Sequence, residues 1–366
     1  CIGGGAIMPE HVFHDTDIIQ NPASTTHPVG TGPFKLAEWA RGSHLKLVLN
    51  PAFRDSTRPY LDEVLLQVLP QSSSRVQALQ AGDVDLILGY NMLPSDNAAV
   101  SASPKLKLEQ SGYAPGHTFI AFNTKKAPFG DPRVRHALFM ATDRDYLVKS
   151  AWFGDGKPSR GPFSDAIGWA FNTSIDYSKL YPYDAAAANK LLDEAGLARG
   201  LDGMRFKAGI VYPTDAPDRA QVVLALKSMW RAVGVDVVPE ALERAALTKR
   251  VYQDHVFDMN LESYNTFGDP ALGITRIYST EAQSRVFGNA SGYSNEKVDA
   301  LFDKAQRETD QDARGALYRQ AEEILATDLP SMSLREKQYI DATSKKLHGV
   351  WGLMGPGDLS AAWLEK

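Results

Sequence analysis

The side chains with the most suggestive spacing are rings set beside amides and a carboxylate, and the chemistry they suit is ligand binding. Tyr264, Asn265, Phe267 and Asp269 lie within one short stretch, directly after an apolar run that predicts a strand over Phe257–Ser263. Tyr212 ends another predicted strand, Phe206–Tyr212, just before Pro213-Thr214-Asp215 opens a helix. Loops at the carboxyl ends of strands in α/β sheets form the usual ligand crevice. Rings supply contact area at low entropic cost, while a few polar groups fix orientation. Asp269 has a second reading, as the cap of a helix beginning after Pro270. Should this loop not be the site, the aromatic segment around Trp152, Phe153 and Trp169 is the next candidate.

Covalent chemistry has no comparable signature. The sequence has no G-x-S-x-G, G-x-G-x-x-G, P-loop or H-E-x-x-H. Gly288–Gly292 reads G-N-A-S-G, one residue off a nucleophile elbow, and Gly30-Thr31-Gly32 lacks the third glycine of a dinucleotide loop. His11 and His14 are three apart, but a metal site needs three or four convergent ligands, and they read as solvated. Glu322-Glu323 reads as the solvated face of a charged helix. No catalytic residue, metal or cofactor is assigned. No serine or cysteine nucleophile is expected within hydrogen-bond reach of a histidine at the ligand cleft. The lone Cys1 excludes an internal disulfide and a cysteine zinc site.

The elements that must position these residues alternate. Leu45–Leu49 and Glu63–Leu69 predict the first strands, with Ser72–Ser74 capping a helix over 75–81 that Gly82 stops. A short strand over 84–88 and another over 118–123 follow. Helices are predicted over 134–142, 143–150, 184–195, 217–233, 242–252, 271–278, 295–307 and 312–328, with strands at 235–241, 331–334 and 339–342. Residues 1–34 read as irregular, with a short helix near 9–13. Residues 154–183 read as ordered irregular structure wrapped on a core. The fold class is α/β.

The 366 residues are 43% hydrophobic and 23% charged, with net charge −5. That excludes wholesale disorder and leaves no global footprint for nucleic acid. No apolar run approaches the roughly 18 residues of a membrane-spanning helix.

Several segments together resemble solute-binding family 5, the extracytoplasmic binding proteins of peptide, opine and nickel ABC importers. They are His27–Leu36 with Glu38-Trp39 and Gly42, then Asn50-Pro51 with Pro59–Asp62, then Arg75 through Ala78–Asp85. Phe122-Asn123-Thr124, Pro128-Phe129, Asp131–Leu138 with Asp143-Arg144, and Gly292–Asn295 through Asp328-Leu329-Pro330 complete the set. Each is weak alone; their order and spacing are specific.

The resemblance implies a two-lobed fold of the type II periplasmic-binding-protein kind that closes on its ligand. Residues 1–119 and 340–366 would form lobe I, and 120–339 lobe II. The early position of Pro28–Phe34 implies an incomplete lobe I. It also implies capture of a peptide, opine, sugar or metal chelate in an interlobe cleft and delivery to membrane permease subunits. The implied protein is a monomer, periplasmic or extracytoplasmic, and not an enzyme. The loop 263–270 matches a cleft segment, giving Tyr264, Asn265, Phe267, Asp269 and Tyr212 as ligand-binding residues. Peptide-binding relatives grip the ligand's α-ammonium with an Asp where this chain has Asn265, Thr266 or Phe267, which leaves the other solutes open. A hydrolase, or a chaperone or sensor on the same fold, is the alternative.

Overall fold

The computed structural model describes residues 9–15, 21–110, 116–216, 218–337, 339–350 and 359–365. In chain order the first strands are β1 (Phe34–Ala40), β2 (His44–Leu49), β3 (Glu63–Gln67), β4 (Leu86–Ile87) and β5 (Leu106–Gln110). Then come β6 (Gly116–Phe122), β7 (Lys157–Pro158), β8 (Phe206–Pro213), β9 (Val235–Leu242), β10 (Met259–Asn265) and β11 (Ser331–Lys337). The last are β12 (Ile340–Ser344), β13 (Leu347–His348) and β14 (Trp363–Leu364). The chain divides into two compact units: unit 1 is Cys1–Tyr113 with Tyr339–Lys366, and unit 2 is Ala114–Gln338.

Unit 2 is built on a six-stranded sheet in the order β7-β11-β6-β10-β8-β9. β8 runs parallel to β9 and β10, whereas β6 is antiparallel to both β10 and β11. The carboxyl ends of β8, β10 and β11 therefore share one edge with the amino end of β6. All seven residues of β6 are buried. A strand covered on both faces reads as a continuous apolar run and not as an alternation. One face carries Ile120, Phe122, Ile210 and Trp230, whose indole Nε1 donates to Thr142 Oγ1 at 2.9 Å. The opposite face carries Phe119, Tyr264, Phe302 and Tyr318.

Side-chain caps fix where the helices of unit 2 begin. Asp131 accepts from the Arg133 N–H, with Pro132 at the first helical position. Asp184, Asn295 and Asp310 cap Ala185–Glu194, Glu296–Arg307 and Gln311–Asp328 in the same way. The segment expected to be irregular, 154–183, contains β7 and one helical turn, Tyr177–Leu180, and is otherwise without helix or strand; it buries Phe163, Ile167, Phe171 and Tyr177 against the core.

Unit 1 has a sheet of order β1-β2-β3, a second of order β4-β12-β5 and the ribbon β13-β14. Its core is small: Val76 and Leu79 of the helix Ser72–Ala81 meet Ile87, Met92, Val100, Leu106 and Ala342.

Some expectations need correction. The first strand is β1 and not Leu45–Leu49; a register irregularity between Leu36 and Glu38 breaks the alternation that would have revealed it. Ser72–Ser74 does not cap its helix. Gln71 occupies that position without a side-chain bond, and the Ser72 hydroxyl donates to Asp96 at 2.5 Å. The helices expected over 143–150 and 242–252 loosen into wider turns at Leu147–Ala151 and Lys249–Gln253. That over 271–278 is two single turns, Pro270–Gly273 and Thr275–Tyr278.

Candidate functional site

The shared edge of β8, β10, β11 and β6 gathers most of unit 2's unusual polar chemistry. Register places Ser263 and Arg335 on either side of Thr118. The Thr118 and Ser263 hydroxyls lie 2.7 Å apart, and Arg219 Nη2 donates to Ser263 Oγ at 2.6 Å. Arg219 Nη1 pairs with Asp218 at 2.7 Å, and Trp152 Nε1 donates to the same carboxylate at 2.9 Å. Arg335 lies with its guanidinium carbon 4.3 Å from the Trp152 ring centre and 3.3 Å, through Nη1, from Asp155. Lys337 approaches Asp155 at 3.3 Å as well.

Local sequence explains the placement. Asp218 and Arg219 open the helix that follows β8, so they sit beside its carboxyl end. Arg335, Glu336 and Lys337 finish β11, which continues past its apolar part because β6 and β7 still pair with it there.

Arg219, Arg335 and Lys337 lie with Asp155 and Asp218 in this cluster, mostly out of water, and the buried Glu262 carboxylate acts on Arg219 as well. Burial pushes the Asp218 carboxyl up, but Arg219 and Arg335 outweigh it and hold it below the ordinary carboxylate range. Burial lowers the Lys337 ammonium; Asp155 opposes that shift and the like charge of Arg335 adds to it. A cluster of fixed guanidiniums offers oriented donors of the kind that suit an acceptor group.

The other face of the edge is different. His117 Nε2 lies 2.7 Å from Ser333 Oγ, so a serine–histidine pair does exist here. Both are buried, His117 Nδ1 has no hydrogen-bond partner, and burial pushes the imidazole down to about 4. With no acid to orient the ring, the pair lacks the third member that activates a serine. Glu322 is also here, fully buried and not on a solvated face, accepting from the Asn172 N–H at 2.7 Å and the Phe163 N–H at 3.3 Å. Its neighbour Glu323 is exposed.

The five sequence-derived residues do not converge. Tyr212 is buried at the end of β8, with the core face that holds Ile210 and Trp230. Tyr264 is buried on the opposite face, hydrogen-bonded to the Tyr252 hydroxyl and packed edge-on to Phe119 at 5.3 Å. Asn265 ends β10 opposite Gly116. Phe267 is 54% exposed at a φ of 53°, a left-handed backbone unusual for a ring-bearing residue. Asp269 caps Pro270–Gly273 through the Ala271 N–H at 2.9 Å and holds Arg314 in a two-point ion pair at 2.6 and 2.8 Å. Of the fallback residues, Trp152 lies in the ionic cluster. Asp155, Asp218, Arg219, Arg335 and Lys337 escaped the sequence reading, whereas Ser263 opens the loop it singled out. Charged residues directly after an apolar strand were the available signal.

Residues 6–285 match the family described as bacterial extracellular solute-binding proteins, family 5 Middle. The chain belongs to this family. It is 30% identical over 312 residues to heme-binding protein A of Haemophilus influenzae, covering 83% of this chain and 54% of that protein. It is 28% identical to the glutathione-binding protein GsiB of Pectobacterium atrosepticum, covering 93% of this chain and 66% of the relative. The oligopeptide-binding protein AppA of Bacillus subtilis, solved with a nonapeptide, superposes with a TM-score of 0.84 at 26% identity. That match covers 99% of this chain and 72% of AppA. The chain thus spans between about half and two thirds of these two curated relatives' length. Its structural neighbours have the two-lobed dipeptide- and oligopeptide-binding fold, and its relatives carry the names of binding proteins.

Proposed function

We propose that this chain belongs to the substrate-binding component of an ABC importer, which captures a solute without chemical turnover and delivers it to membrane permease subunits. Units 1 and 2 correspond in this reading to lobes I and II. The protein acts as a monomer outside the cytoplasmic membrane, held at it if lipidated. The observation that carries the reading is the rim of unit 2. In a family of solute-binding proteins, buried Arg219 and Arg335 and half-buried Lys337 gather near Trp152 at the carboxyl edge of an α/β sheet. The solute classes remain peptides, opines, sugars and metal chelates. Relatives named for heme, glutathione and oligopeptides make chelates and peptides the first to try.

The test is a thermal-shift screen of these classes followed by calorimetry. A solute at 100 times its dissociation constant should stabilise the fold by about 2.7 kcal/mol. Phe267 and Asn265 lie at the end of β10, next to the cluster in sequence. Phe267→Ala should weaken binding and leave the fold intact, because the ring is exposed. Tyr264→Phe is the safer probe at the buried ring. Unchanged affinity in Phe267→Ala, Tyr264→Phe and Asp269→Asn would remove the loop from the site. Failure of every class in the screen would count against the importer reading.

A further inference from the structure

We propose that unit 2 contains a small-oxyanion site, for a carboxylate or a phosphate, in a cavity separate from the ionic cluster at the rim. The cavity, about 300 Å³, is bordered by Thr275, Arg276, Ser279, Arg285, Arg314 and Glu281, together with Ala271 and Gln306. Three arginines therefore border a space with one carboxylate, Glu281, in its lining, and a second, Asp269, pairs with Arg314.

The three are not equivalent. Arg285 pairs with Glu281 at 3.1 Å, and both side chains are largely exposed. This is a mobile rim pair of the kind worth little in water. Arg314 is committed to Asp269 from behind, with Nε donating to the Ala305 carbonyl at 3.0 Å. Arg276 is the informative one. Its guanidinium carbon sits 4.6 Å from the centre of the Tyr264 ring, and its Nε makes only a long contact, 3.4 Å, to the Gly273 carbonyl. It has no carboxylate partner among the described residues. The ring fixes the plane of the fork and leaves the terminal N–H groups for another acceptor.

The hydroxyls agree with that assignment. Ser279 is buried, and among the described residues its hydroxyl has no hydrogen-bond partner. Thr275, one turn earlier, makes only a 3.5 Å contact to the Ala271 carbonyl. Unspent N–H and O–H donors around an aqueous hollow with excess positive charge fit a compact oxyanion. They do not fit a cation or an apolar group. The volume admits a phosphate or a short dicarboxylate and would not admit a peptide of several residues.

The experiment titrates the 366-residue chain with inorganic phosphate and, separately, with succinate, each against sodium chloride of matched ionic strength. Calorimetry and thermal midpoint are the readouts. At least one anion should give a saturable response that chloride does not. Phosphate alone would mark the site as tetrahedral-anion selective; succinate alone would mark it as carboxylate selective; either supports the proposal. Arg276→Gln should weaken that response at least tenfold, and Arg276→Lys, which keeps the charge and loses the fork, by less. Ser279→Ala should weaken it several-fold and guards against a folding defect at Arg276. Arg133→Gln, an exposed cation paired with Asp131, is the control and should change nothing. No saturable response to either anion in the unsubstituted chain overturns the site. So does undiminished binding in both Arg276→Gln and Ser279→Ala.

Discussion

The two units spend their apolar residues differently. In unit 2 the sheet is covered on both faces and β6 is buried along its whole length. In unit 1 the sheet β1-β2-β3 keeps Trp39, Leu49, Leu65 and Leu66 partly in water. Because burial is what stabilises an apolar side chain, at about 25 cal/mol per Å² removed from water, unit 2 holds most of the folding energy. It also hosts most of the buried charged side chains, Asp341 of unit 1 being an exception that accepts from the Gly89 N–H, since a rigid, well-packed surround is what holds such groups out of water in fixed geometry. Core mass and unusual polar chemistry occur together for this reason.

The largest test of the contrast is a pair of truncations. Trp230→Ala removes a fully buried ring and its bond to Thr142, and should cost about 3–5 kcal/mol. Leu66→Ala on β3 should cost within about 0.5 kcal/mol, as is usual for surface sites. Urea midpoints of the two variants decide it; equal losses would erase the distinction between the units.

Titration sharpens the comparison through two acids of unit 2. Burial pushes the Glu322 carboxyl up to about 8 and that of Glu336 to about 7. An acid whose folded value is raised stabilises the fold fully below its ordinary value near 4.5, and that contribution disappears as pH rises through 8. Thermal midpoints should therefore fall from pH 5 to pH 9, with several kcal/mol at stake. Glu322→Gln should flatten that slope, with a constant penalty for one lost backbone acceptor.

His117 bounds the acid side. Burial holds the ring neutral down to about 4, so its contribution is complete above the ordinary 6.5 and is lost between 6.5 and 4. Up to about 3 kcal/mol follows from that interval. His117 therefore opposes the gain from the two acids below pH 6.5, and His117→Gln should steepen the rise in thermal midpoint from pH 6.5 to pH 5; an unchanged slope there would remove His117 as a contributor.

Asp269 offers the smallest effect. Asp269→Asn keeps a capping oxygen but loses the charged partner of Arg314, at a cost of about 1 kcal/mol. Asp269→Ala loses both and should cost about twice that. If denaturant midpoints show the two variants equal, the cap contributes nothing.

Strong local signals made much of the fold legible. Asp184 and Asn295 mark helix starts by their side chains, and Gly82 and Gly196 mark helix ends through positive φ. What escaped was decided at a distance. β1 is a strand because β2 lies beside it, and Leu147–Ala151 widens its turns where Trp152 packs into the core. The site was less legible than the fold. Tyr264 and Asp269 have side chains suited to ligands, yet the structure occupies them with Tyr252 and Arg314. Arg335 and Lys337 look like the polar end of a strand, and no local pattern says that Trp152 and Asp155 will meet them.

The antiparallel placement of β6 beside β11 has a consequence for the order in which the molecule assembles. Gly116 and Lys337 are register partners, so the two chain ends of unit 2 emerge side by side. In unit 1, β12 must find β4 and β5 across more than two hundred residues of chain. Closing so long a loop carries an entropy penalty that grows with the logarithm of its length. Once unit 2 has folded, the same search is confined to short arms from neighbouring strands, which reduces that penalty by about 3 kcal/mol. The small core around Val76 and Ala342 is thus in no position to form first. Unit 2 acts as a template, and the sheet β4-β12-β5 is its dependent product.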